Sequence, residues 1–120
     1  MDVRIEALGD YVLVQAIGPF DSREARAGLE RAVRETRAAG LTHLLVDGRG
    51  ISTTVPISER YDLATLLAGS GAVGLRIAVV VTTDNMFSKT MENTASNRGV
   101  ALHTTDSIDE ARAFLGLDAD

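Results

Sequence analysis

Two short stretches of almost uninterrupted apolar residues constrain the fold of this chain most strongly. They are Leu41–Asp47 and Arg76–Thr82, and the second contains the longest apolar run of the sequence, Ile77–Val81. Strands that are apolar on both faces occur in the middle of parallel sheets, because helices cover both of their sides. The two stretches therefore predict central, parallel strands.

The rest of the chain supplies strands and helices that fit around such a sheet. Val3–Leu8 alternates in polarity, Gly9 and Asp10 form a predicted hairpin turn, and Tyr11–Ile17 follows as the antiparallel partner strand. A short last strand is predicted at Val100–His103. Helical patterns follow Pro19, the central strands and the last strand, and the helices are predicted to begin after Asp21, at Ser58, near Met86 and after Ser107.

Residues typical of helix ends support these boundaries. Asp21 with Glu24, and Ser107 with Glu110, have the spacing of a capping box. Gly40 and Gly99 stand where helices are expected to end. The order β-β-α-β-α-β-α-β-α predicts an α/β fold with a mixed, mostly parallel sheet of about five strands, an antiparallel N-terminal hairpin and four helices. The length of 120 residues predicts one domain over 1–120.

Composition excludes several classes of function. Cysteine is absent, which excludes disulfide scaffolds, thiolate zinc sites and cysteine nucleophiles, and two histidines are too few to predict a metal site. A net charge of -5 and the lack of Trp argue against nucleic-acid binding. The apolar runs are too short to cross a membrane. We expect a cytoplasmic protein by default, with no cofactor.

The order of these motifs resembles a known family. Gly18-Pro19-Phe20-Asp21, Leu44–Asp47, Glu59–Ala64 and Asn97–Val100 occur in the arrangement of STAS domains, and the later part is similar to the SpoIIAA-like branch, a structural relative of CRAL-TRIO lipid-binding domains. STAS domains occur in anti-sigma-factor antagonists and sulphate-transporter tails. The resemblance implies a STAS-like fold and a regulatory module that binds a protein partner.

This sequence departs from the family at the site that is phosphorylated in its kinase-regulated members. Where those proteins carry an Asp-Ser-Ser-Gly-like motif, this chain has Pro56-Ile57-Ser58-Glu59, and Ser58 is the residue that matches. Ser58 has two compatible interpretations, as the N-cap of the next helix and as a phosphoacceptor. The carboxylate of Glu59 would repel a phosphate, so we expect capping to be its main role.

Ligands of parallel sheets bind beyond the carboxyl ends of the strands, where this chain places Asp47, Asp84 and His103. The segment Gly48–Ile57 is long enough to cover them as a lid, and Tyr61 and Leu63 are candidate walls beneath it. Polar side chains of the lid and the following helix complete the predicted ligand-binding set, which consists of Asp47, Arg49, Ser52, Thr53, Ser58, Arg60, Tyr61, Asp84 and His103.

Catalysis is not expected, because the usual motifs are absent or misplaced. No serine stands in a Gly-x-Ser-x-Gly elbow, and the glycine-rich segment Gly69–Gly74 precedes a strand, whereas a phosphate-binding loop follows one. A receiver domain is excluded because Asp10 is in a turn and Lys89 in a helix. The stripe containing Met86, Phe87 and Met91 predicts core packing or a homodimer contact.

Two functions stay open on the sequence. The first is a non-catalytic binding or regulatory module that acts through a protein partner, a second copy of itself in a homodimer, or a sensed small ligand. The alternative is a carrier of a small apolar ligand, or a minor enzyme, that uses the cleft under Gly48–Ile57. Arg49 and Arg60 are the charge partners that the cleft would offer to an anionic ligand.

Overall fold

A computed structural model describes residues 1–86 and 90–117, without the side chains of residues 90 and 91. The described part contains a five-stranded sheet with strand order β1-β2-β3-β4-β5. The strands are β1 (Asp2–Leu8), β2 (Tyr11–Gly18), β3 (His43–Ile51), β4 (Arg76–Val80) and β5 (Ala101–Thr105). The helices are α1 (Ser22–Ala38), α2 (Ile57–Gly69), α3 (Thr90–Asn97) and α4 (Ile108–Phe114), with a 3₁₀ turn at Thr83–Asn85.

The predicted fold class is confirmed. β1 and β2 are antiparallel and joined at Gly9-Asp10, and every later pair of neighbours is parallel. The chain moves across the sheet in one direction, so right-handed crossovers place α1, α2 and α3 on the same face. We call this the helical face, and its core includes Val12, Leu44, Leu67 and Ile77. α4 covers the opposite face, the α4 face, over Leu45, Ala78 and Val80.

The predicted ends of α1 and the predicted start of α4 are present. The Asp21 side chain accepts a hydrogen bond from the Glu24 backbone N–H, and Ser107 does the same for Glu110. Gly40 has φ +71° and follows α1, where its N–H bonds the Arg37 carbonyl while the Leu41 N–H bonds that of Thr36. This is a Schellman ending, which needs the left-handed conformation that glycine adopts freely.

Several predicted boundaries are wrong. β3 begins at His43 and continues to Ile51, so Gly48–Ile51 is strand and the connection to α2 is Ser52–Pro56. β4 ends at Val80 rather than Thr82, and Thr83–Asn85 forms a separate 3₁₀ turn. β5 covers Ala101–Thr105 instead of starting at Val100. α3 is predicted to begin near Met86, but the residues that follow, 87–89, lie outside the described residues.

The extension of β3 depends on Gly50 and its contact with β2. Gly50 pairs with Ile17 of β2 just beyond a shift in the register of the two strands. A Cβ atom at Gly50 would lie 2.9 Å from the Ala16 carbonyl oxygen. Because glycine lacks that atom, the two backbones approach closely enough for pairing to continue to Ile51. No helix among the described residues has the length and hydropathy needed to cross a bilayer.

Candidate functional site

A buried polar network holds the β3–α2 connection against the sheet. The Asn85 Oδ1 atom accepts hydrogen bonds from the Val55 backbone N–H at 2.8 Å and from Arg60 NH2 at 3.2 Å. Arg60 Nε donates to the Val55 carbonyl at 3.1 Å. Arg60 and Asn85 are only 6% and 5% exposed. The segment predicted as a mobile lid is therefore fixed at its centre by two buried side chains.

Arg60 is a buried positive charge in this network. Its guanidinium is withdrawn from water, and this burial lowers its pKa from the ordinary value. Arginine remains protonated in spite of such a shift, because its unperturbed pKa is so high. The Val55 carbonyl accepts from the Arg60 Nε atom and the Asn85 side-chain oxygen from its NH2 atom, which offsets part of the cost of burying a cation.

An apolar cavity of about 100 Å³ lies between the helical face of the sheet and helices α1 and α2. We call it the interior cavity. Its lining includes Val14, Leu29, Leu63, Ile77, Val79 and Thr104, with Arg60 and Asn85 also contributing. The Thr104 hydroxyl oxygen is buried and has no hydrogen-bond partner in the described part of the chain. The cavity thus combines apolar walls with one hydroxyl that has unused hydrogen-bonding capacity.

Asp47 and Arg49 lie away from this cavity, on the α4 face. Arg49 donates to Asp47 through its backbone N–H at 3.1 Å, Nε at 2.9 Å and NH2 at 2.8 Å. This fork of hydrogen bonds lowers the pKa of the Asp47 carboxyl below its usual value. The prediction that Asp47 lies beneath the β3–α2 connection with Leu63 is wrong. A binding role for this pair stays a prediction.

Ser52 and Thr53 are exposed, and their contacts hold the β3–α2 connection to the end of β2 and to the segment between β2 and α1. The Ser52 N–H bonds the Gly18 carbonyl at 2.9 Å, and Thr53 Oγ1 accepts from the Phe20 N–H at 2.9 Å. The Thr53 carbonyl also accepts from Asn85 Nδ2 at 3.5 Å. Both residues have structural contacts here, and their predicted part in ligand binding stays untested.

Ser58 does not cap α2, contrary to the prediction. The N-cap is Pro56, whose carbonyl accepts hydrogen bonds from the backbone N–H groups of Glu59 and Arg60 at 3.0 and 3.1 Å. Ser58 therefore lies inside the first turn, with an exposed side chain. Of the two interpretations of Ser58, N-cap and phosphoacceptor, only the second stays open.

The outer face of α2 exposes apolar side chains. Ile57 is 56% exposed and Tyr61, one helical turn later, is 46% exposed. Arg98, which follows α3, donates from NH2 to the Tyr61 hydroxyl at 3.3 Å, and its guanidinium lies 5.7 Å from the centre of the Tyr61 ring. We call Ile57, Tyr61 and Arg98 the α2 surface. The sequence suggested Tyr61 as a wall of a cleft. In the structure it belongs to the α2 surface and does not line the interior cavity.

The two remaining predicted site residues lie in different places. Asp84 is exposed within the 3₁₀ turn. His103 lies on the α4 face, stacked on Phe114 with ring centres 5.1 Å apart. Its Nδ1 and Nε2 atoms are each 3.4 Å from a carboxylate oxygen, of Glu92 and Glu110 respectively. The predicted ligand-binding residues thus divide over both faces of the sheet, and no group of three or more His, Asp or Glu residues fit for a metal is found among the described residues.

Asn85 is the residue of this region that sequence reasoning missed. It follows Asp84 in a segment predicted to begin a helix, so its side chain had no recognisable role. One feature of the sequence could have identified it: Asn85 follows the carboxyl end of the central strand β4. Polar side chains at that edge of a parallel sheet are well placed to contact the neighbouring connections. Thr104, by contrast, belongs to a strand end that the sequence had pointed to.

Comparison with known proteins supports the fold. A crystal structure of an anti-sigma factor antagonist from Mycobacterium paratuberculosis matches with a TM-score of 0.59 and 18% sequence identity. The match covers 96% of this chain and 93% of that chain. No protein-family model and no curated protein matches the sequence. The STAS-like fold implied by the sequence resemblance is confirmed, and at this identity the likeness concerns the fold alone.

Proposed function

We propose that this chain is a non-catalytic regulatory module that binds an anti-sigma factor through the α2 surface. Two independent lines support the proposal. The fold is shared with a protein described as an anti-sigma factor antagonist, over nearly the full length of both chains. The α2 surface, in addition, has the chemistry of a protein-binding site.

The exposed pair Ile57 and Tyr61 is the observation that carries the proposal. Ile17, Ile57, Tyr61 and Val73 are large apolar side chains that are about half exposed among the described residues. Two of these four, Ile57 and Tyr61, are one turn apart on the same helix, and Tyr61 contacts Arg98. Tyrosine and arginine dominate the energetic centres of protein interfaces, because they combine large apolar area with directed polar groups.

The surroundings of the pair suit a polar rim. Toward α1, Ser22 Oγ donates to Glu59 Oε2 at 2.8 Å, and Arg26 forms an ion pair with Asp62 at 3.2 Å. A rim of partly exposed charged side chains around an apolar centre is the usual organisation of an interface. Ser58 lies in this rim, so phosphorylation of Ser58 would add negative charge directly beside a bound partner. That modification stays a hypothesis.

Binding measurements on variants of the α2 surface test this function. The purified chain is titrated calorimetrically with anti-sigma factors of its source organism. We expect at least one complex of micromolar or higher affinity, weakened about tenfold or more by Tyr61→Ala, as for an interface centre. Ile17→Ala, which shortens a similarly exposed side chain on β2, is the control and should leave affinity within about twofold.

Two results would contradict the proposal. One is the absence of micromolar binding to every anti-sigma factor in the set. The other is equal loss of affinity in Tyr61→Ala and Ile17→Ala, with both variants folded. A homodimer through the Met86–Met91 stripe stays a prediction, since Phe87 and the Met91 side chain lie outside the described residues. Sensing of a small ligand and a cytoplasmic location are likewise untested.

A further inference from the structure

The interior cavity is built into the sequence by small residues on facing elements. Ala16 of β2, Gly48 of β3, and Ala25 and Gly28 of α1 all contribute to its lining. Gly28 also leaves room for Val3, since a Cβ atom there would lie 2.9 Å from Val3 Cγ1. Protein interiors normally pack to the density of organic crystals, so a cavity of about 100 Å³ inside a domain of this size is unusual.

The walls of the cavity select for an apolar occupant. Val14, Leu63, Ile77 and Val79 present only hydrocarbon to it, and each is at most 7% exposed. Cavities of this type lined by aliphatic side chains exclude water and bind small apolar molecules. The partly exposed Phe20 and Ile51 also line the cavity, so it approaches solvent near the ends of β2 and β3.

The polar groups of the cavity favour a neutral occupant. Arg60 Nε and NH2 and the Asn85 oxygen hold the β3–α2 connection, so a ligand that took these groups would have to displace hydrogen bonds of the fold. Thr104 Oγ1, in contrast, is buried without a hydrogen-bond partner among the described residues. A buried hydroxyl in that state is stabilised by any ligand group that donates to it or accepts from it.

We propose that the interior cavity binds a small neutral molecule, mainly apolar, with one hydroxyl or carbonyl group that hydrogen-bonds Thr104. A short-chain alcohol or ketone has this chemistry. The site is separate from the α2 surface and goes beyond the proposed function, because it requires no protein partner. Either proposal can therefore fail without the other.

Methyl NMR of the whole chain tests the proposal with three probes: xenon, 1-butanol and butyrate. Xenon and 1-butanol should shift the methyl signals of Val14, Leu63, Ile77 and Val79 in a saturable way. Methyls of Leu45, Val80 and Leu115, which pack on the α4 face, are the internal control and should not move. Butyrate, which has the same chain length as 1-butanol and a negative charge, should not bind.

Two variants separate the apolar space from the hydroxyl. Thr104→Val keeps the shape of the side chain and removes its hydroxyl, so it should weaken 1-butanol binding about fivefold and leave xenon binding unchanged. Ala16→Leu fills the cavity and should abolish binding of both. If Ala16→Leu does not fold, the Thr104→Val result and the control methyls still decide the question.

Specific outcomes would overturn the proposal. The cavity is not a binding site if neither xenon nor 1-butanol gives saturable shifts, or if control methyls move as much as the lining methyls. Butyrate binding as tight as that of 1-butanol would overturn the neutral class of ligand. Unchanged 1-butanol binding in Thr104→Val would overturn the role of the hydroxyl.

Discussion

At the residue scale, the side chain of Asn85 holds the β3–α2 connection and the first turn of α2, which precede it by 25 to 32 positions in the sequence. Its oxygen accepts from Val55 and Arg60, and its nitrogen donates to the Thr53 carbonyl. An amide can do this because it carries two acceptor sites and two donors. The position of the β3–α2 connection therefore depends on one buried side chain.

Replacement of Asn85 by alanine should be strongly destabilising. Asn85→Ala removes an acceptor of the buried Arg60 guanidinium and the acceptor of the Val55 N–H, and loss of partners of buried polar groups costs about 2–4 kcal/mol in unfolding free energy. Urea denaturation measures the change. Asn93→Ala, at an exposed position of α3, is the control and should stay within about 0.5 kcal/mol of the wild type. Equal effects of the two substitutions would contradict the network.

Two serines at helix starts should respond differently to the same substitution. Ser107 accepts a hydrogen bond from the Glu110 N–H, so Ser107→Ala should cost about 1 kcal/mol, the usual loss for a cap. Ser58 lies within the first turn of α2 and caps nothing, so Ser58→Ala should change stability by less than about 0.5 kcal/mol. Urea denaturation midpoints of the two variants measure this difference. A larger loss at Ser58 than at Ser107 would show that α2 begins differently.

The Asp47–Arg49 pair predicts a specific pH dependence. The pKa of the Asp47 carboxyl is lowered in the folded protein from the usual 3.8, chiefly by hydrogen bonds from the Arg49 side chain. A carboxyl with a lowered folded pKa contributes stability above its unfolded pKa and loses that contribution as the pH falls through the folded pKa. The stability difference between wild type and Asp47→Asn should therefore be largest near neutral pH and decrease below about pH 4. Denaturation at several pH values measures it, and a difference independent of pH would contradict this.

The sequence identified many residues at this edge of the sheet but not which face each one occupies. Leu63 lines the interior cavity as expected, whereas Asp47 points to the opposite side. The reason is physical. Strands that are apolar on both faces carry no alternation of polarity, so the orientation of the polar residue at their end cannot be derived from the pattern.

At the scale of elements, the β3–α2 connection is shorter and more firmly held than its composition suggested. Gly48 and Gly50 were interpreted as loop residues because glycine is common in turns. Both are part of β3, where Gly50 permits close approach to β2. The hairpin and the caps at Asp21, Gly40 and Ser107 were predictable, because each depends on local chemistry. The extension of β3 depends on a contact with a distant strand.

Hydrogen exchange should detect this fixed connection. The Val55 N–H is bonded to the Asn85 side chain and buried, so it should exchange slowly, as amides of β3 do. The exposed Thr54, whose N–H has no hydrogen bond described, should exchange rapidly. In Asn85→Ala the protection of Val55 should be lost. Rapid exchange of Val55 in the wild type would support a mobile lid after all.

At the scale of the whole molecule, helix α2 lies between the two proposed binding sites. Leu63 and Leu67 on its inner side line the interior cavity, and Ile57 and Tyr61 on its outer side form the α2 surface. This arrangement follows from the strand order, since α2 connects β3 to β4 at the centre of the helical face. Fold class could be derived from local patterns, but strand order could not, because it depends on which distant strands pair.

The exchange footprint of a bound anti-sigma factor on this chain tests the central claim most directly. Amide exchange is compared by mass spectrometry between the free chain and the complex. We expect slower exchange in peptides that contain Ile57, Tyr61 and Arg98, and unchanged exchange in β1 at the far edge of the sheet. Protection confined to β1 and β2, or no protection anywhere in a saturated complex, would contradict it.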